Sequence, residues 1–339
     1  MCADTTGNYN NEDILSSLLS SLHVRGNVVL REGYASPWRV EIPNSQRLVE
    51  LLSLPKAQTA VAFHMVEYGR CHIQLAGGAR TLMETGDVAV VFGGAAHTLY
   101  FGKTAHGGMT NVVLIEELLN TPASNDKPSE RPIRAKSMPD CSLLCGAFVL
   151  RDLGINPLLS SLPSAVLSSA RGQTPGATQG LSTVMQLLQY ELSAHDSGEE
   201  YMVNRLLELL CGQLIRSHVA NTSNFQANWC SAVNDELVNK ALAAIHANPA
   251  LPWTIDKLAN HVAISPSRFA ARFSEKMGEA PITYLSKWRM HLACEKLFTT
   301  EKNVTEISFE LGYENNSAFS RAFKKFLGCS PVQWRKENC

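Results

Sequence analysis

Residues 265–281, SPSRFAARFSEKMGEAP, and residues 315–331, NNSAFSRAFKKFLGCSP, are two copies of one pattern. Set 50 residues apart, they align without a gap: Ser267 with Ser317, Phe269 with Phe319, Phe273 with Phe323, Gly278 with Gly328, Pro281 with Pro331. An internal repeat announces a repeated structural unit. Each copy opens on a residue of capping type, Ser265 with Pro266 behind it, or Asn315 with Asn316. Phenylalanines at i and i+4 then share one helix face, and a glycine follows as a helix stop requires. Upstream of each copy lies a short apolar-periodic run: Ile255, Leu258, Ala259 and Val262, then Val304, Ile307 and Leu311. A tight turn, with Gly312 in the second case, separates each run from its Phe helix. Short helix, turn, second helix is helix-turn-helix spacing, present twice.

A lone copy reads equally as a generic helical hairpin; two copies joined by the helical run Ile282–Phe298 do not. The segments LANHVAISPSRFAARF, PITYLSKWRMHLACEKLF and ISFELGYENNSAFSRAFKKFLGCSPVQWRK resemble the AraC/XylS family of transcription regulators. The resemblance covers residues 235–336. It implies a DNA-binding domain over 235–339, two recognition helices at 265–277 and 317–327, and RNA polymerase as a partner. The helix Asp235–Asn248 then braces the first motif, with Leu251 and Trp253 closing it.

Phe269, Phe273, Phe319 and Phe323 point to the core, so periodicity names the exposed residues. These are Ser267, Arg268, Ala271 and Arg272 on the first reader, and Asn316, Ser317, Ser320, Arg321 and Lys324 on the second. Arg321 is the base-reading candidate, because a guanidinium grips O6 and N7 of guanine with two bonds. Ser317 and Asn316 suit base edges or phosphates, and Lys324, Lys325 and Arg335 suit phosphates. Each basic residue also reads as a solvated surface charge. Ala271 stands at the repeat position of Arg321, where family members often carry Arg. The first helix therefore leans on Ser267, Arg268 and Arg272.

The 339-residue length suggests two domains or slightly more. With 45% hydrophobic and 18% charged residues, the chain builds packed cores rather than disorder. No apolar run reaches the ~18–20 residues of a membrane helix, and MCADTTGNYNNED lacks the features of a signal peptide. A soluble cytoplasmic protein is expected. Nine scattered cysteines fit reduced thiols better than a disulfide framework. Residues 235–339 carry a net +3 and the rest −4, so DNA contact falls to the C-terminal part.

Residues 1–12 read as a loose tail. Ile14, Leu15, Leu18, Leu19 and Leu22 form a helical stripe expected to pack on the first domain. From Val28 to Val149 the pattern becomes short runs cut by Gly and Pro, among them TAVAFHMVEYG, CHIQLAGG, DVAVVFGG and CGAFVL. Several short strands with frequent turns indicate a β-sandwich or barrel, with 121–136 a solvated loop. Gly86, Gly94 and His97 keep the spacing G-x5-P-x-G-x2-H, with Phe92 at the proline position. LMETGDVAVVFGGAAHTL therefore resembles the second motif of cupin barrels, which many AraC-type regulators carry as sensor domains. The first motif's His-x-His pair is missing, and Phe101 replaces the final Asn. This weakens the rival reading, a metal-dependent cupin enzyme with an appended helical module.

His64, on a strand expected to end at the Gly69 turn, His97 and Cys145 all fall on expected strands. Two imidazoles and a thiolate would suit a divalent transition metal such as zinc, with one position open for an effector. A metal-free effector pocket and structural histidines are the other readings. Cys141 and Cys145 form a C-x3-C pair that reads either as a thiol switch for an oxidant or as two buried small hydrophobes. Beyond 152–175, which reads as loops, come two antiparallel helices. One carries Leu181, Val184, Met185, Leu188 and Leu192 on one face. The other carries Met202, Leu206, Leu209, Leu210 and Ile215. They cover the barrel or form a homodimer.

The expected architecture is α+β and multidomain: a cupin-like β-barrel over 1–175, a helical pair over 176–222, a linker over 223–234, and the all-α double helix-turn-helix domain. The family resemblance implies an activator more readily than a repressor, controlled by a small molecule or an oxidant.

Overall fold

The computed structural model describes residues 14–20, 22–54, 58–75, 78, 80–102, 112–115, 139–150, 156, 158–159, 162–169, 177–221, 232 and 235–338. The tail 1–12, the loop 121–136 and nearly all of the linker 223–234 lie outside them. The chain divides into two compact units. One holds 23–151 and 162–221; the other joins 222–339 with 1–22 and 152–161.

The first unit is a curled sheet of nine strands: β1 (Arg25–Tyr34), β2 (Trp38–Ile42), β3 (Thr59–Leu75), β4 (Arg80–Glu84), β5 (Asp87–Val90), β6 (His97–Phe101), β7 (Val112–Leu114), β8 (Cys141–Leu150) and β9 (Val166–Ser169). Its path runs β1-β8-β3-β6-β2-β7, with β4 and β5 also on β3, and β9 on β5. All pairs are antiparallel except β2–β7. A short helix, α2 (Ser45–Leu51), follows β2 and is capped by Asn44, whose side chain accepts from the Arg47 amide.

The sheet curls because β3 does not end at Gly69. Its first part pairs with β8 and β5, its second with β4 and β6. The register slips between Val66 and Tyr68, and Gly69 takes φ +80°. A Cβ at Gly69 would sit 2.0 Å from the Asp140 carbonyl oxygen, so glycine is required there. The expected turn is a bulge that bends one long strand. The concave face carries Leu30, Trp38, Val40, Ala60, Ala62, Cys71, Ile73, Ala89, Leu99, Cys145 and Ala147, all buried. Strand β9 falls in a stretch that reads as loop. Four residues with one apolar neighbour on each side are too short to declare a period.

Helices α3 (Ala177–Ala194) and α4 (Glu199–Asn221) form the expected antiparallel hairpin, and α4 packs on β1. Arg31 of β1 pairs with Glu67 and donates to the Leu192 carbonyl and the Ser193 hydroxyl at the end of α3. Leu181, Val184, Met185, Leu188, Leu192, Leu206, Leu210 and Ile215 are buried. Met202 and Leu209, expected on the same face, are exposed, because the buried stripe of α4 runs through Val203, Leu207 and Leu214 instead.

The second unit is helical. Helix α1 (Ile14–Ser20) buries Ile14, Leu15 and Leu18, with Leu22 just beyond. It packs against α5 (Glu236–Ala247). An amphipathic stripe states that a helix packs and leaves its partner open. After α5 come α6 (Ile255–His261), α7 (Pro266–Met277), α8 (Pro281–Thr299), α9 (Val304–Glu310), α10 (Asn316–Leu327) and α11 (Pro331–Asn338). At 19 residues, α8 is about 28 Å long and is buried through Leu285, Trp288, Met290, Cys294 and Leu297.

Candidate nucleic-acid interface

The two helix-turn-helix motifs are α6–α7 and α9–α10. Thr254 caps α6 by accepting from the Lys257 amide. Asn303 and Glu306 cap α9 reciprocally, side chain to backbone in both directions. Each first helix ends in one turn of left-handed backbone, Ala263 at φ +57° and Gly312 at φ +78°. The readers then start at Pro266, in the first helical position, and at Asn316 behind the Asn315 cap. Gly278 and Gly328, both left-handed, stop them.

The repeat holds in three dimensions. Phe269–Phe273 and Phe319–Phe323 ring centroids are both 5.7 Å apart. The ring one helix later meets each pair edge-on, Tyr284 on Phe273 and Trp334 on Phe323. All four phenylalanines are buried. The opposite faces therefore carry Ser267, Arg268 and Ala271, and Asn316, Ser317, Arg321, Lys324 and Lys325, all exposed. Ser320 is half-buried and donates to Asn316 Oδ1, while Asn316 Nδ2 donates to Thr305 Oγ1. Arg321 makes no hydrogen bond or ion pair among the described residues.

Two basic side chains named from the sequence are engaged inside the protein. Arg272 Nε lies 3.0 Å from both carboxylate oxygens of Asp235, the cap of α5, and ties the first reader to that helix. Burial alone would raise the Asp235 carboxyl, but hydrogen bonds from Arg272 and the Val238 amide bring it below its ordinary value. Arg335 donates to the carbonyls of Leu297, Thr300 and Lys302 and caps the end of α8. Its guanidinium is not turned to a phosphate.

In the sheet unit, His64 and His97 face each other with Nε2 atoms 2.7 Å apart. His97 Nδ1 lies 2.8 Å from the Ala95 carbonyl, which only accepts, so Nδ1 carries the proton. Burial, and for His64 also the neighbouring imidazole, pulls both pKa values below the ordinary one, so both rings are neutral. His97 Nε2 is then a lone pair and His64 Nε2 donates to it. His64 Nδ1 is left as a bare acceptor, buried, with no partner among the described residues.

Cys145 is His64's cross-strand neighbour on β8. Burial, then Cys141, Glu67 and Glu32, push its thiol up, away from the thiolate that zinc binds. Among the described residues no group of three or more His, Cys, Asp or Glu is placed to hold a metal ion. The thiol in hydrogen-bond contact with Cys141 is that of Cys71, a residue the C-x3-C spacing could not reveal.

The Cupin family pattern matches residues 13–220, and a helix-turn-helix domain pattern matches 258–337. The HTH-type transcriptional regulator AlkR of Acinetobacter baylyi is 28% identical over 284 residues, 83% of this chain and 90% of its own. A putative AraC-like transcription regulator of Streptomyces lividans is 30% identical over 203 residues, 60% of this chain and 66% of its own. An uncharacterized HTH-type transcriptional regulator of Haemophilus influenzae is 25% identical over 324 residues, 96% and 98% of the two chains. The chain belongs to the AraC family of transcription regulators.

As an AraC-family regulator it binds DNA and is not an enzyme, which disposes of the rival cupin-enzyme reading. No helix among the described residues is long and apolar enough to cross a membrane. The two readers of this AraC-type regulator are unequal. Arg321 is exposed and unengaged, and its counterpart is Ala271. The first reader's other arginine on that face, Arg272, holds Asp235. A residue the sequence did not mark, Arg289 of α8, donates to the Pro249 and Leu251 carbonyls and lies over the Tyr313 ring.

Proposed function

We propose that the protein is a homodimeric, effector-controlled activator that reads its operator chiefly through α10. The observation that carries this is the exposed polar face Asn316, Ser317, Arg321, Lys324 and Lys325, with Arg321 free to grip a guanine. Ser267 and Arg268 of α7 add a second, weaker contact, and Ser320 steadies Asn316 from behind. Work in the cytoplasm, beside RNA polymerase at a promoter, follows from that role. Leu187, Tyr190, Tyr201, Met202 and Leu209 leave an exposed apolar strip on the α3–α4 hairpin, which supports self-association there. Salt-controlled binding to a selected duplex against random DNA tests the core reading; equal retention of both duplexes refutes it.

For the effector, the support is the lone pair of His64 Nδ1 on a concave face of small residues, Ala60, Ala62, Ala89, Cys145 and Ala147. A neutral acceptor calls for a ligand that brings a hydrogen-bond donor on an apolar body, such as an alcohol, and is poorly matched to a carboxylate. Thermal shift with alcohols and matched carboxylates tests this; stabilisation by the carboxylates alone overturns it. Oxidant control rests on the Cys71–Cys141 contact. It requires the two thiols to lose two hydrogens to a peroxide and become a disulfide, a 2 Da mass change. The hydrogen bond with Cys141 first, then burial, hold Cys71 protonated and therefore slow to react.

A further inference from the structure

The five residues 248–252, between α5 and α6, offer a run of backbone carbonyls, and elements from the whole helical unit converge on them. Trp253 Nε1 donates to the Asn248 carbonyl at 2.9 Å, and Lys257 Nζ to that of Pro252 at 3.0 Å. Lys257 belongs to α6, and Trp253 stands just before that helix's cap, Thr254. From α8, Arg289 Nε donates to the Pro249 carbonyl at 2.7 Å and its terminal nitrogen to that of Leu251 at 2.8 Å. The remaining carbonyl, of Ala250, is met by the turn of the second motif. Gly312 approaches so closely that a Cβ there would lie 2.1 Å from that oxygen. Next to it, Tyr313 lies under the Arg289 guanidinium at 5.6 Å and packs edge-on against Phe319, the core residue of α10.

We propose that Arg289 is a positioning residue for DNA recognition: it clamps segment 248–252 and Tyr313 together and so fixes the separation and facing of the two reader helices. Two helices joined by α8 alone could swing about its ends. Arg289 links α8, the segment that leads into α6, and the turn that leads into α10. Its planar fork bonds two carbonyls while its face stays free to stack on Tyr313, which a lysine cannot reproduce. The readers then enter successive major grooves only where two sequence blocks stand one helical turn apart, about 10–10.5 base pairs. Arg289 touches no base in this account. It sets which spacing is accepted.

The test is selection of bound duplexes from a randomised pool by the full chain, comparing wild type with Arg289→Ala. Wild type is expected to enrich two blocks at one spacing. The variant is expected to enrich the same blocks at about three neighbouring spacings, around the one-turn value. A single unchanged spacing overturns the proposal. So does loss of one block in a variant of unchanged helicity, because that would place Arg289 in base reading itself. If Arg289→Ala fails to fold, Arg289→Lys, which keeps the charge and loses the fork, must broaden the spacing, or the proposal falls. As a second measurement, spin labels introduced through unnatural amino acids at 267 and 317 report the reader-to-reader distance without DNA. That distribution is expected to widen in the variant, and an unaltered width also overturns the clamp.

Discussion

Acidification should destabilise the DNA-binding unit through one histidine. His246, on α5, is buried, its Nε2 lies 2.7 Å from the Tyr284 hydroxyl, and its ring stacks on Trp288 with centroids 4.1 Å apart. His291 also stacks on Trp288 and adds a repulsive neighbour. Burial first, then His291, pulls the His246 pKa from 6.5 down to about 3. The unfolded chain therefore binds a proton that the folded chain refuses. Stability from this residue is fully present above pH 6.5 and is lost as pH falls from 6.5 toward 3. Linkage puts the loss at pH 5 at about 2 kcal/mol, a figure that hardly changes if the folded pKa is anywhere below 4. The assay is urea unfolding at pH 7.5 and pH 5.0 for wild type and His246→Phe. The variant loses the Tyr284 hydrogen bond at both values, a constant cost of about 1 kcal/mol. It should be about 2 kcal/mol less sensitive to the pH change than wild type. An equal fall in both proteins refutes the reasoning. Histidines of the sheet unit contribute to both proteins alike and cancel.

Arg321→Ala should weaken specific binding by about 1–3 kcal/mol at constant salt, with random DNA held as before; titration of the selected and random duplexes checks it. Arg272→Ala should lower the unfolding temperature and leave base preference unchanged, since its guanidinium holds Asp235; a changed preference with unchanged stability would return it to the readers. The two turns should respond in opposite senses. Ala263→Gly relieves a left-handed alanine and should stabilise by up to about 1 kcal/mol. Gly312→Ala drives a methyl into the Ala250 carbonyl and should cost about 2 kcal/mol or more, both read by chemical denaturation.

Much of the helical unit was legible because its signals are local. Caps, Phe at i and i+4, and stop glycines lie within one helix and repeat, so Ser265, Asn315, Phe269 and Gly328 could be placed by spacing alone. The chemistry that depends on distant partners was not. Arg272 and Arg321 both read as exposed reader residues, and only the structure shows Asp235, 37 residues away, engaging Arg272. Arg335 reads as a phosphate ligand until the end of α8 is seen beneath it. Strands β1 to β8 show as short apolar runs, and β9 does not. At Gly69 the sequence reads as a turn, because a bulge and a turn ask for the same left-handed glycine. His64 and His97 were named together, but a hydrogen-bonded imidazole pair and a metal pair differ by a proton that no sequence displays. The Cys71–Cys141 contact joins residues 70 apart and has no local trace.

Because Arg321 has an alanine for its counterpart, a protomer laid on a promoter has a head and a tail. The block read by one protomer is expected to be asymmetric. Base changes under α7 should drift with little penalty among promoters, whereas those under α10 should be held. Reversing the whole site relative to the transcription start would then present the opposite flank of the protein to whatever waits downstream, so orientation itself becomes part of the regulatory signal.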